Sequence, residues 1–98
     1  MYYVMYFLSG LLIANGFPHF IKGVAGEKHQ TPFGQPSDAV TNVVWGSLNF
    51  VLAWALWHYA GLYRDLTHTF RYEVVFGLGI FLMAVLLAKV WSQSNKAK

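Results

Sequence analysis

Three long stretches free of Asp, Glu, Lys and Arg alternate with short polar connections, a pattern that predicts three membrane-spanning α-helices. The first stretch covers residues 1–21, which at ~1.5 Å per residue rise through about 31 Å, the depth of a hydrocarbon core. The second, 39–63, is long enough to cross with some tilt. In the third, residues 74–88 are uncharged; Lys89 reaches the interface along its aliphatic stem and Trp91 anchors there, so the span extends over 74–91. Residues 64–73 form the polar link of an antiparallel pair, and 92–98 a polar tail. No basic segment precedes the first apolar stretch, so it is expected to be a retained helix and not a cleaved leader.

Residues 22–38 hold Gly23, Gly26, Pro32, Gly34 and Pro36 among polar side chains, which predicts a loop between the first two helices. Its Thr31-Pro32-Phe33-Gly34-Gln35-Pro36 segment is stiff enough to pack as an ordered cap, the alternative being a solvated connector. Ser37 or Asp38 then N-caps the second helix.

Composition turns this pattern into a class. With 98 residues, 11% of them charged and 56% hydrophobic, the chain carries more apolar surface than one small soluble core could bury. Lipid is the solvent that accepts the remainder, and the expectation is a single all-α integral membrane domain. The net charge of +3 comes from cations spread over loops and tail, without the basic, aromatic-rich patch that grips nucleic acid. Absence of cysteine excludes disulfides, iron–sulfur clusters, thiolate metal sites and a cysteine nucleophile.

Lys22, Lys28, Lys89, Lys96 and Lys98 fall on one side of three spans, and Arg64 and Arg71 on the other. That asymmetry puts the first loop and C-terminus in the cytoplasm, with the N-terminus outside. Tyr2, Tyr3, Tyr6, Tyr59, Tyr63 and Tyr72 then form an outer aromatic belt, with Trp45 and Trp91 towards the inner one.

Candidate chemistry concentrates at one end. Pro18, in Asn15-Gly16-Phe17-Pro18-His19, lacks an N–H and opposes the Ala14 carbonyl, so the first helix is expected to kink, or to break near Asn15 and line a cavity. On the second helix Asn42, Gly46, Asn49 and Ala53 share a face, either for close helix packing or for a ligand. Chain direction puts the end of helix one beside the start of helix two, so Asn15, His19, Asn42 and Asn49 converge, with Lys22, Glu27 and His29 of the loop able to close over them. These seven are the candidate ligand-binding residues. Gly77, Ala84 and Ala88 make a small-residue stripe on the third helix, for packing against a helix of the same chain or of a neighbouring subunit.

The four histidines lack metal-binding spacing: His19 and His58 lie near opposite interfaces, and His58 with His68 has no supporting carboxylate. No metal or cofactor is expected. No Asp or Glu lies within a span, which argues against a proton relay.

The combination Asn15-Gly16-x-Pro18-His19-Phe20, Thr31-Pro32-Phe33, Pro36-Ser37 and Asn42-Val43-Val44-Trp45-Gly46-x-x-Asn49 resembles a group of small bacterial membrane proteins with no activity attached. The resemblance covers residues 15–49 and implies that kink, loop and asparagine stripe form one unit. The leading expectation is a non-enzymatic homo-oligomer or accessory subunit of a larger membrane complex, with the bilayer as partner and a polar pocket near the cytoplasmic leaflet. The alternatives are an oligomeric transporter or channel lined by Asn42 and Asn49, and a lipid- or quinone-modifying enzyme using His19 as acid/base beside Lys22 or Glu27, which lacks a recognisable nucleophile–base pair.

Overall fold

A computed structural model describes residues 2–32, 34–63, 67 and 69–96. Helix α1 (Tyr2–Val24) leads into a hairpin of β1 (His29–Thr31) and β2 (Gly34–Ser37), followed by α2 (Ala39–Tyr63) and α3 (Thr69–Lys96). The fold is all-α apart from that hairpin, and all three helices are long and apolar enough to cross a membrane. Arg64, His68 and Lys98 lie outside the described residues.

The distribution of side chains is inverted relative to a soluble domain. Ser9, His19, Thr31, Ser37, Asn42 and Asn49 are buried, whereas Phe17, Ile21, Val44, Trp54, Phe70 and Phe81 each expose more than half their surface. Water would penalise such a surface and lipid would not, which suggests a membrane protein.

Helix α1 is central and packs along both α2 and α3. Small residues permit this because lipid supplies no hydrophobic drive between helices, leaving close packing and interhelical hydrogen bonds to hold them. A Cβ built on Gly46 would stand 2.8 Å from the Gly16 carbonyl oxygen, and one built on Gly16 would stand 2.9 Å from the Gly46 carbonyl oxygen, so the backbones touch. On the other side Gly10 meets the Phe76 carbonyl and Gly79 meets the Phe7 carbonyl. At the end away from the hairpin, Tyr6, Ala60 and Tyr72 form a buried cluster, with Tyr6 stacked on Tyr72 at 5.1 Å and edge-on to Trp57 at 4.7 Å. Tyr6 and Tyr72 therefore pack between helices and do not face outward as belt residues.

Four sequence expectations change. Helix α1 runs uninterrupted through Pro18 instead of breaking near Asn15, since proline removes only one donor from a ladder that resumes on either side. It also ends at Val24, beyond residue 21. The stop is a Schellman motif: Gly26, at φ 77°, donates to the Gly23 carbonyl at 3.0 Å, and Glu27 donates to that of Lys22 at 2.9 Å. Helix α3 likewise extends past 74–91 at both ends, because hydropathy marks where lipid begins and not where helical hydrogen bonding stops. Finally, Gly77 faces open space and Ala84 and Ala88 are exposed; Gly79, two residues on and on the opposite side of the helix, makes the close approach to α1.

The hairpin pairs His29 with Ser37 and Thr31 with Gly34, with a bulge that accommodates one extra residue on β2. Pro32 follows Thr31 where its fixed φ favours a tight reversal. Asp38 caps α2, its Oδ1 accepting the Thr41 N–H at 2.8 Å. That bond holds the Asp38 carboxyl below its ordinary value of 3.8. The folded state thus favours the ionised cap: its stabilisation is present above the ordinary value and fades as pH falls through the lower, folded-state one. Asp38→Asn keeps the cap but not the charge, so its unfolding midpoint should lose part of the acid dependence measured for the native chain. Superimposable pH profiles would show that the cap's charge contributes nothing.

Candidate functional site

The hairpin lies over the junction of α1 and α2, and Asn42 joins the three. Its Nδ2 faces three carbonyl oxygens, those of His29 at 3.0 Å, Ser37 at 3.2 Å and Asp38 at 3.0 Å. Carbonyls only accept, so the amide has one possible orientation, and its Oδ1 is turned to His19 Nδ1 at 3.1 Å. An amide oxygen also only accepts. The hydrogen of the neutral imidazole therefore sits on Nδ1, and Nε2 keeps a lone pair.

The same logic runs one turn deeper. Asn49 Nδ2 donates to the Trp45 carbonyl at 2.8 Å, which leaves its Oδ1 to accept from Asn15 Nδ2 at 3.0 Å. Asn15 must then present its Oδ1 elsewhere. Two chains of hydrogen bonds, each anchored on backbone carbonyls, thus cross from α2 to α1 and end in an acceptor. Asn42 and Asn49 are themselves enclosed, at 0% and 2% exposure.

Both chains end at one cavity of about 290 Å³ between α1, the hairpin and α3, with Asn15, His19, Gln30, Trp45, Leu87 and Trp91 in its lining. The His29 ring meets the Trp91 ring edge to face at 4.3 Å, and the His19 ring lies 5.1 Å from that of His29 and 5.8 Å from that of Trp91. Thr31 and Ser37 share a hydroxyl–hydroxyl bond of 2.5 Å across the hairpin, which ties off their polar groups.

Of the seven candidate ligand-binding residues, the structure gathers Asn15, His19, His29, Asn42 and Asn49. Lys22 and Glu27 instead pair with each other at 3.4 Å on the exposed end of α1, clear of the cavity lining. Such a pair contributes little to stability, about 0–1 kcal/mol at most. Gly46 and Ala53 lie in the α1–α2 seam, where Ser9 Oγ donates to the Ala53 carbonyl at 2.8 Å. Sequence reading gave Trp45 and Trp91 only as interfacial anchors and missed Gln30 and Leu87; the signal for Trp91 was topological, since α3 must end on the side where α2 begins.

His58 stacks on Trp54 at 5.2 Å. Among the described residues no group of three or more His, Asp or Glu is placed to hold a metal ion. A second, apolar groove of about 400 Å³ runs between α1 and α3 past Ala14, Pro18, Ala84 and Ala88, and shares Leu87 and Trp91 with the polar cavity. A third recess, about 580 Å³, is bordered by Phe17, Phe50, Trp54 and Trp57; the Ser9 hydroxyl there is already committed to Ala53. No protein-family model, curated protein or solved structure matches the chain.

Proposed function

We propose that this chain is a non-enzymatic bacterial inner-membrane protein, acting as a homo-oligomer or accessory subunit, whose hairpin-end cavity receives the polar end of a small molecule. The observation that carries this reading is the pair of hydrogen-bond chains that end in acceptors at one indole-walled cavity. Hydrogen bonds between helices would by themselves explain buried asparagines, but not two chains that both end at the same cavity.

The non-enzymatic part rests on the pairing of Lys22 with Glu27, which takes both away from His19, the arrangement the enzyme alternative needed. The pathway alternative has less support, since Asn42 and Asn49 are enclosed between α1 and α2. The lysine asymmetry assigns the hairpin to the cytoplasmic side.

Native mass spectrometry of the protein extracted from its own membrane tests both parts. The expected spectrum shows assemblies heavier than one chain, together with a small adduct that is depleted in His19→Phe. Bare monomers throughout would overturn the proposal.

A further inference from the structure

We infer that the cavity selects a neutral amphiphile whose headgroup donates hydrogen bonds through hydroxyls, with its single hydrocarbon chain lying in the adjoining α1–α3 groove. This rests on the binding reading above and names the ligand class.

The headgroup chemistry follows from the polarity of the two chains. His19 is 4% exposed and lines the cavity, and its only hydrogen bond among the described residues uses Nδ1. Nε2 is left as an acceptor. Asn15, four residues earlier on the same helix face, uses its Nδ2 on Asn49, which leaves Oδ1 as a second acceptor beside the first. With the imidazole neutral, neither atom can exchange roles with its side-chain donor without facing an amide oxygen against a carbonyl further along its chain.

A phosphate or carboxylate would bring lone pairs against these two acceptors, and among the described residues no Lys or Arg lines the cavity to offset its charge. An ammonium would find acceptors but no carboxylate among the described residues, and a charge taken out of water without a counter-charge is penalised heavily. A hydroxyl carries no such penalty and satisfies both atoms. A cavity of about 290 Å³ is also just below the size that encloses a whole drug-like ligand, so it suits a headgroup alone.

The chain has its own place. The groove of about 400 Å³ adjoins the cavity, Leu87 and Trp91 lining both, and Ala14, Ala84 and Ala88 line it where larger side chains would narrow it. This gives Ala84 and Ala88 a role within the single chain.

The test uses the full chain in phosphatidylcholine nanodiscs, with retained probe counted by native mass spectrometry. The probes are 1-monooleoylglycerol, methyl oleate, which keeps the chain without the hydroxyls, and oleate. Wild-type protein should retain monooleoylglycerol about tenfold better than either comparison, the loss expected when buried acceptors go unmet. Asn15→Val should bring the preference down towards parity. Ala84→Phe, which touches neither hydrogen-bond chain, should lower monooleoylglycerol retention severalfold with helix content unchanged, and decides the matter should Asn15→Val not fold. Methyl oleate held as well as monooleoylglycerol, or oleate held better, would overturn the hydroxyl assignment while leaving a binding cavity. Retention of no probe by folded wild-type protein would remove both readings.

Discussion

Asn42→Leu is expected to destabilise the fold by about 2–4 kcal/mol, although leucine keeps the same branched skeleton of four side-chain heavy atoms. A single interhelical hydrogen bond in a membrane protein contributes only ~0.6 kcal/mol on average. Asn42, however, closes four contacts at once, to His19, His29, Ser37 and Asp38, and it is fully enclosed. The Asp38 carbonyl retains the Asn42 backbone N–H at 3.1 Å, whereas the substitution removes a donor from the His29 and Ser37 carbonyls. The His19 Nδ1 hydrogen loses its acceptor, and the imidazole its orientation. Unmet polar groups in a low-dielectric interior each cost about 1–3 kcal/mol, partly relieved where the hairpin lifts to admit water. Reversible unfolding in mixed micelles measures the difference. Asn49→Leu, which breaks only the bonds to Asn15 and the Trp45 carbonyl, should lose less than half as much. Equal losses for the two, or a loss below ~0.5 kcal/mol for Asn42→Leu, would show that the hub does not hold the hairpin.

What could be read in advance divides along physical lines. The number of long apolar helices and the bounds of α2 were legible because uncharged length reports a helix fit for lipid, and Asp38 and Tyr63 sit where polarity and helix coincide. The nearness of Asn15 to Asn49 and of His19 to Asn42 follows from chain direction and helical period, both fixed by sequence. Helix ends elsewhere were not legible from hydropathy, because α1 and α3 extend beyond their apolar windows into charged residues. Gly26 was the overlooked stop signal, since only a residue tolerant of positive φ ends a helix in that way.

Pairing partners were harder still. Lys22 and Glu27 are near enough in sequence to find each other, so their charges are spent at the surface before they can reach a site. On α3, Gly77 and Gly79 offer the same missing side chain, and sequence spacing alone favoured the one in register with Ala84 and Ala88. The choice fell to Gly79 because it shares a face with Tyr72, Phe76 and Met83, bulky residues that fill the space beside α1 while glycine lets the backbones close. A helix packs on the face where large and small alternate, not where small residues align.

The second large effect is expected at Gly46, where valine should cost about 3 kcal/mol or more. Its Cβ would stand 2.7 Å from the Phe20 nitrogen, 2.8 Å from the Gly16 carbonyl oxygen and 2.9 Å from the Phe20 Cβ. Two of these are backbone atoms of α1, which no rotamer change can move. The helices must separate, and separation is opposed by the interhelical bonds on either side, Asn42 to His19 at 3.1 Å and Asn49 to Asn15 at 3.0 Å. A shift of about 1 Å carries both past the range of a hydrogen bond, so the steric clash and the polar loss come together. Gly77→Ala is the matched control: nothing stands within 4 Å of its Cβ, and alanine's better helix propensity should leave stability unchanged or raise it by up to ~1 kcal/mol. The same micelle unfolding measures both. Gly46→Val tolerated to within ~1 kcal/mol would mean that α1 and α2 are not in backbone contact in the membrane, and the orientation of His19 and Asn15 towards their cavity would lose its physical basis.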